Sequence, residues 1–446
     1  MNIEDSTAWR TWLAQNPRSR AHAERASRRV PSGTSRSLLR HPPFPFYVER
    51  AAGVTSVDLD GNERIDCHNN YTTLIHGHGH PVIRAAIERQ LALGTTYSAP
   101  GAQEYALAEH LCGRVNSVEQ VVFNNSGTEA VMVALRIARA VTGRNRIAKF
   151  EGGYHGATDF VMVGGHGLPA PDDPVRVSEP HADVGGLPAA ASTDVVLIRY
   201  NDAEAVREAV ARFGDELAAI IVEPIQGAGG VIPATAEFLH VLREETRRTG
   251  IVLICDEVIT LRHAVGGAQG FYGLDPDLTT MAKIIGGGFP VGAVGGRQEF
   301  MQSLDAGGAV ANLGTFSANP MTMAAGLAAM ELLDEAAIGH LNALGERVRD
   351  GLRAVIAALG LPAQVSGAGS LFQVHWTRQP LVDARTAERA DPDLNLLTFL
   401  GLANRGVQLS MRGIGALSTP MTTAIIDTLI DAFADTAREL RADGYV

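Results

Sequence analysis

The chain has 446 residues, 46% of them hydrophobic, and 49 acidic against 38 basic side chains give it a formal net charge of -11. That balance supplies apolar material for a large core and no basic excess for a phosphate backbone, so nucleic acid is not an expected partner. Cys67, Cys112 and Cys255 are odd in number, widely spaced and free of any CxxC pair, which argues against a disulfide framework or a thiolate zinc site.

In chain order, the start MNIEDSTAWRTWLAQ carries Glu4 and Asp5 and lacks an apolar signal core, and no apolar run is long enough to cross a bilayer. A cytoplasmic protein without a membrane partner is expected. The Arg-rich stretch from Arg18 to Arg29 also contains Glu24 and reads as a surface helix. VTSVDLDGNERIDC, residues 54–67, alternates around Asp60-Gly61 and reads as a hairpin. From about residue 76 to 300, short apolar runs such as VVLIRY, AAIIVEP and IVLICDEV alternate with helical stretches. That pattern predicts an α/β fold with a mostly parallel sheet covered by helices on both faces, and such sheets gather their chemistry beyond the carboxyl ends of the strands. The Pro/Ala-rich loop from Gly164 to Thr193 has the length of a mobile lid. After about residue 316 longer amphipathic helices take over, predicting a smaller α+β domain. The expected division is 1–75 as an N-terminal segment of helix and hairpin, 76–315 as the large domain and 316–446 as the small one.

One residue type is almost missing. Of the 38 basic side chains two are lysine, Lys149 and Lys283, and 36 are arginine. Arginine replaces lysine wherever charge alone is needed, but a guanidinium forms no imine, so a lysine kept in such a chain points to amine chemistry. Lys283 lies among Met281, Ile284 and Ile285, a setting that lowers an amine's pKa by desolvation; Lys149 reads as a surface lysine. Three further stretches bear on Lys283. FNNSGTEAVMVALRIAR sets Ser126, Gly127 and Thr128 between a strand and a helix, where exposed amides suit a phosphate dianion; an ordinary helix N-cap explains the same residues. IVLICDEV ends a strand on Asp256, whose carboxylate needs a cationic partner, either a protonated ring nitrogen or an arginine. EGGYHG places Tyr154 and His155 in a glycine-rich loop, where an aromatic ring can stack on a planar cofactor.

Taken in order, NNSGTEAVM, KFEGGYHGATD, IIVEPIQG, LICDEVIT, PDLTTMAKIIGGGFPVGAVGGR and LGTFSANPMTMAAG resemble the class III aminotransferases of fold type I, in the branch of glutamate-1-semialdehyde 2,1-aminomutase. The resemblance implies pyridoxal 5'-phosphate as cofactor and a seven-stranded type of sheet. It implies that Lys283 holds the cofactor as an aldimine and that Asp256 pairs with the pyridine nitrogen. Ser126, Gly127 and Thr128 would hold the phosphate, and Tyr154 and Val258 would cover the two ring faces. Glu223 would lie near the cofactor, and Thr315 would reach the neighbouring active site of a homodimer. Ile259 stands where many members carry a glutamine. It also marks HGHGHP, residues 76–81, as a family turn and not a metal site.

On the substrate side the branches diverge. PSGTSRSLLRHPPFPF has Leu38 where the aminomutase arginine falls and Arg36 two positions earlier; TSRS and Arg412 in LSMRGIGALS look like β-amino acid aminotransferases such as β-phenylalanine aminotransferase. The resemblance implies that Arg36 contacts a substrate carboxylate and that Arg412 lies near the active site as a substrate-binding residue, although either residue also suits a surface or interdomain ion pair. TTYSAPGAQE and GGHGLPAPDDP resemble aminomutase segments instead. The first expectation is therefore transamination from an amino acid donor to a keto-acid acceptor through aldimine and ketimine stages. Intramolecular amine transfer is the alternative. A racemase or decarboxylase on the same scaffold, or a binding protein that has lost its chemistry, is a more distant one.

Overall fold

A computed structural model describes residues 2–446, which divide into two compact units. The larger comprises Pro81–His340 and Gln379–Arg389, the smaller residues 2–80, Leu341–Arg378 and Ala390–Val446.

The larger unit is built on an eight-stranded mixed sheet. From edge to edge its strands are Gln120–Asn124, Gly292–Gly296, Leu278–Ala282, Val252–Asp256, Leu217–Val222, Arg146–Phe150, Val195–Ile198 and Val177–Ser178. Gly292–Gly296 runs antiparallel to both neighbours and Val177–Ser178 antiparallel to Val195–Ile198; the remaining pairs are parallel. The two-residue edge strand is an addition to the expected seven. The central strands LAAIIV and VLICD are buried along their whole length, as strands covered on both faces must be. Alternate residues feed two cores: Ala148, Val196 and Ile220 pack with the helices Ala203–Phe213 and Ala236–Thr249, while Ile147, Val195 and Ile221 pack with Gly127–Thr142. That last helix buries Ala130, Val131, Ala134, Leu135 and Ile137 at helical spacing and stops at Gly143, whose φ of 67° is the left-handed conformation glycine adopts without strain.

The Gly164–Thr193 loop is tied down by side chains of its own unit. Glu388 accepts from the amides of Gly167 and Leu168, and Arg389 donates to the carbonyls of Leu168 and Pro169. Arg385 donates to the carbonyls of Asp173 and Val175 while its guanidinium forks onto buried Glu151 at 2.6 and 2.8 Å. A freely opening lid does not carry such anchors.

In the smaller unit the predicted hairpin is present as Thr55–Asp58 and Glu63–Asp66, within a four-stranded sheet completed by Val48–Ala52 and Val407–Gln408. A second sheet pairs Gln364–Ser366, Leu371–His375 and Ile414–Ala416. Asn69, Asn70, Tyr71 and Thr72 form a left-handed turn, with φ of 49°, 51°, 52° and 70°. Four such non-glycine residues in succession are strained. Asp66 holds them by accepting from the amides of His68 and Asn69 at 3.0 and 2.8 Å, and Asn69 Nδ2 donates to the Ala416 carbonyl at 2.6 Å.

Candidate active site

Five loops of the larger unit leave the carboxyl ends of parallel strands and carry most of the predicted residues. Ser126 follows Gln120–Asn124, Tyr154 and His155 follow Arg146–Phe150, Glu223 follows Leu217–Val222, Asp256 ends its own strand, and Lys283 follows Leu278–Ala282. Lys283 has a φ of 53°, so the chain turns sharply at the amine-bearing residue.

Asp256 is 3% exposed. Its partner is neither arginine nor solvent: Oδ2 lies 2.7 Å from His155 Nδ1, and Oδ1 accepts from the Val258 amide at 3.0 Å. This His155–Asp256 pair escaped the sequence reading, which saw the ring only as a stacking candidate; adjacency of Tyr and His in EGGYHG was the available signal. Glu223 accepts from the Tyr154 amide at 3.3 Å and the Gly227 amide at 3.1 Å. Burial, then the field of Asp256, pushes the Glu223 carboxyl up to about 8. Burial brings Lys283 down to about 8, against the opposing fields of Asp256 and Glu223. The amine is therefore partly neutral near pH 8, which is the form that attacks a carbonyl.

At the start of Gly127–Thr142, Ser126 Oγ caps the Glu129 amide at 3.2 Å, so the N-cap reading holds for that hydroxyl, while the first-turn amides of Gly127 and Thr128 have no partner within the helix. A Cβ on Gly127 would lie 3.2 and 3.3 Å from the Val258 methyls and 3.4 Å from Ala282 Cβ; one on Gly156, at φ 95°, would lie 2.6 Å from Thr128 Oγ1. The glycines thus keep open the space around the helix terminus, and a Cβ on Gly292 would collide with the Ser126 carbonyl. Tyr154 is 47% exposed and Val258 half-buried. Ile259 packs where a Cβ on Gly227 would stand. Thr315 is exposed beside exposed Leu313 and Phe316, and no hydrogen bond joins it to the cluster among the described residues, although its neighbour Gly314 stands beside Asn125, next to Ser126.

Lys149 is not the expected surface residue. It is fully buried, and Nζ donates to the carbonyls of Val161 at 2.9 Å and Val163 at 2.7 Å. Two buried acceptors satisfy it, which sequence alone did not place near it.

Arg36 and Arg412 belong to the smaller unit. Arg36 lines a cavity of about 360 Å³ with His68, Asn70, Tyr71, Phe399 and Met411. Its Nη1 donates to Asn70 Oδ1 at 2.6 Å, and its guanidinium stands 5.5 Å from the Tyr71 ring centroid. Among the described residues it has no carboxylate partner. Asp66 also lines the cavity but is engaged by His78 at 2.8 Å. Burial pushes His68 down to about 4, so that ring is neutral at pH 7 and Arg36 supplies fixed positive charge. Burial pushes the Tyr71 phenol up, while the fields of Arg36 and Arg412 pull it back. Asn70 and Tyr71 were missed because a left-handed turn has no signature in HNNYTT. In HGHGHP, His78 binds Asp66 and His76 Nδ1 lies 3.0 Å from Thr419 Oγ1; no cluster of metal-ligand type occurs among the described residues.

The larger-unit cluster has the parts a phosphorylated pyridine aldehyde requires: free amides at a helix start, a buried carboxylate for a ring nitrogen and a low-pKa amine. Comparison with known proteins agrees. The Aminotransferase class-III family matches residues 39–433. A glutamate-1-semialdehyde 2,1-aminomutase of Methanothermobacter thermautotrophicus is 41% identical over 386 residues, 86% of this chain and 89% of that one. Among solved structures, an omega-transaminase from Sphaerobacter thermophilus superposes with a TM-score of 0.91 at 44% identity, covering 95% of this chain and 98% of that one. A β-phenylalanine aminotransferase from Variovorax paradoxus gives 0.89 at 36% identity, covering 99% and 97%. The chain belongs to the class III aminotransferases, enzymes of fold type I that work with pyridoxal 5'-phosphate.

Proposed function

We propose that the protein transfers the amino group of a carboxylate-bearing amino acid, β-amino acids included, to a keto acid, working in the cytoplasm as a homodimer. The observation that carries this reading is Arg36, a cavity-lining guanidinium held by the neutral Asn70 and Tyr71 and left without a carboxylate of its own. A guanidinium so presented suits a bidentate carboxylate, with Arg412 as a second cation near the same phenol.

In this reading Ser126, Gly127 and Thr128 hold the cofactor phosphate, with the partner subunit's Thr315 completing the cradle. Tyr154 and Val258 cover the two ring faces. The Asp256 carboxylate, oriented by His155 Nδ1 and the Val258 amide, holds a proton on the ring nitrogen. Bound pyridoxal phosphate supplies a carbonyl carbon that exchanges amines and an electron-poor ring that stabilises negative charge at the substrate carbon. Lys283 Nζ would move a proton at the substrate carbon as general base and then acid, a role suited to an amine with a pKa of about 8. Glu223, kept largely protonated by burial, would lie near the cofactor without adding a second negative charge next to Asp256. No helix among the described residues is long and apolar enough to cross a membrane.

Intramolecular amine transfer is the second reading, favoured by the aminomutase relative at 41% identity and by the aminomutase-like segments of the sequence. A steady-state assay separates them. Protein supplied with β-phenylalanine and 2-oxoglutarate is expected to form glutamate, and Lys283→Ala to form none. Absence of glutamate with every carboxylate-bearing donor would sink the transaminase reading.

A further inference from the structure

The chain keeps lysine at two positions, and Lys149 has no part in the chemistry above. It lies in Arg146–Phe150, a strand paired on both sides by Val195–Ile198 and Leu217–Val222. From there its ammonium reaches the carbonyls of Val161 and Val163. Those carbonyls form the far limb of a loop that leaves the strand at Glu151. The limbs close on each other where the Gly152 amide donates to the Gly164 carbonyl at 2.9 Å. Beyond that closure Gly164 donates to the His181 carbonyl and Asp183 to the Met162 carbonyl, both at 3.0 Å. Tyr154 and His155 lie within the closed loop.

Among the described residues the ammonium is the one charged donor the far limb receives from the sheet. Val161 and Val163 are 1% and 0% exposed, so without it two buried carbonyls lose their charged partner. The strand is held by its neighbours on both sides, and the displacement would therefore fall on the loop. Size suits lysine here better than the arginine used elsewhere: a planar guanidinium is bulkier than an ammonium, and the Lys149 side chain is wholly enclosed.

We infer that Lys149 is a positioning residue whose ammonium, by tying the carbonyls of Val161 and Val163, fixes the loop that presents Tyr154 and His155 to Asp256 and the cofactor ring. The inference rests on the cofactor placement proposed above. Burial lowers the Lys149 amine to about 8 against the opposing fields of Asp183 and Glu223, which leaves it mostly an ammonium at pH 7.

The test compares Lys149→Met, which keeps the stem and removes the donor, with Lys149→Arg and with Ile147→Val, a core deletion in the same strand. Three quantities are read: the Kd for pyridoxal phosphate, the visible circular dichroism of the bound cofactor, and the apoprotein Tm. Lys149→Met and Lys149→Arg are expected to raise Kd roughly tenfold and to weaken the dichroic band, as loss of charge-assisted bonds predicts. Ile147→Val is expected to lower Tm while leaving Kd and the band unchanged. Parental Kd and dichroism in Lys149→Met, or equal losses in Ile147→Val, would overturn the inference. Should Lys149→Met fail to fold, Lys149→Gln, with a donor on a shorter stem, is expected to give an intermediate Kd; a parental value there also overturns it. If the unaltered protein binds no pyridoxal phosphate, the cofactor placement itself fails and takes the inference with it.

Discussion

Replacing Arg36 by Met removes the guanidinium and leaves an apolar stem of similar length. Arg36 and Asn70 are both exposed, so Asn70 can bond to water and the fold should lose less than about 0.5 kcal/mol. Binding should lose much more. Charge-assisted hydrogen bonds contribute about 1.5–3 kcal/mol, and the open position of Arg36 places it toward the low end. About 2 kcal/mol corresponds to a roughly 30-fold fall in kcat/KM. The carboxylate is not itself transformed, and its contact with Arg36 is the same before and during the reaction, so the loss should lie mainly in KM with kcat little changed. Arg36→Lys keeps the charge but loses the fork and part of the contact with Tyr71, 5.5 Å away, and should cost about 1 kcal/mol, roughly fivefold. Initial rates are measured with a carboxylate-bearing donor and with 1-phenylethylamine, which lacks the carboxylate. The penalty should vanish for the second donor. Equal losses with both donors, or no loss with the first, would refute carboxylate recognition by Arg36.

Other outcomes follow from the larger unit. With the Lys283 amine at about 8, the rate at which apoprotein combines with pyridoxal phosphate should rise about tenfold per pH unit below that value and level off above it; a flat profile contradicts the assignment. Glu223 binds its proton more tightly folded, at about 8, than unfolded, near 4.5. Its contribution to apoprotein stability is therefore complete below about pH 4.5 and is lost as pH rises through about 8, and Glu223→Gln should flatten this part of the denaturant-measured stability curve. Gly156→Ala forces a side chain onto a φ of 95° and against Thr128 Oγ1, and should cost at least about 1–2 kcal/mol by denaturant unfolding together with a raised Kd for pyridoxal phosphate.

The strands and the residues at their carboxyl ends were legible because fully buried strands write continuous apolar runs, and because strand-end Asp256 and isolated Lys283 break the local composition. The partner of Asp256 was not legible: a buried carboxylate announces that it needs a donor, but His155 reaches it from a loop more than a hundred residues away in the chain. Lys149 was misread because a lone lysine between apolar residues gives no sign of the carbonyls that fold back over it. The setting of Arg36 depends on the left-handed turn at Asn69–Thr72, held by Asp66 and the Ala416 carbonyl, contacts with no local pattern.

The central claim is that the amine leaves one molecule and enters another. The most direct measurement is a spectrophotometric titration of cofactor-loaded protein with β-phenylalanine in the absence of any keto acid, run beside 4,5-diaminovalerate. The account predicts that the β-amino acid abolishes the long-wavelength cofactor band, that one equivalent of the corresponding keto acid is released, and that 2-oxoglutarate restores the band. A response to diaminovalerate alone, with 5-aminolevulinate as product, would contradict it and establish the intramolecular reaction.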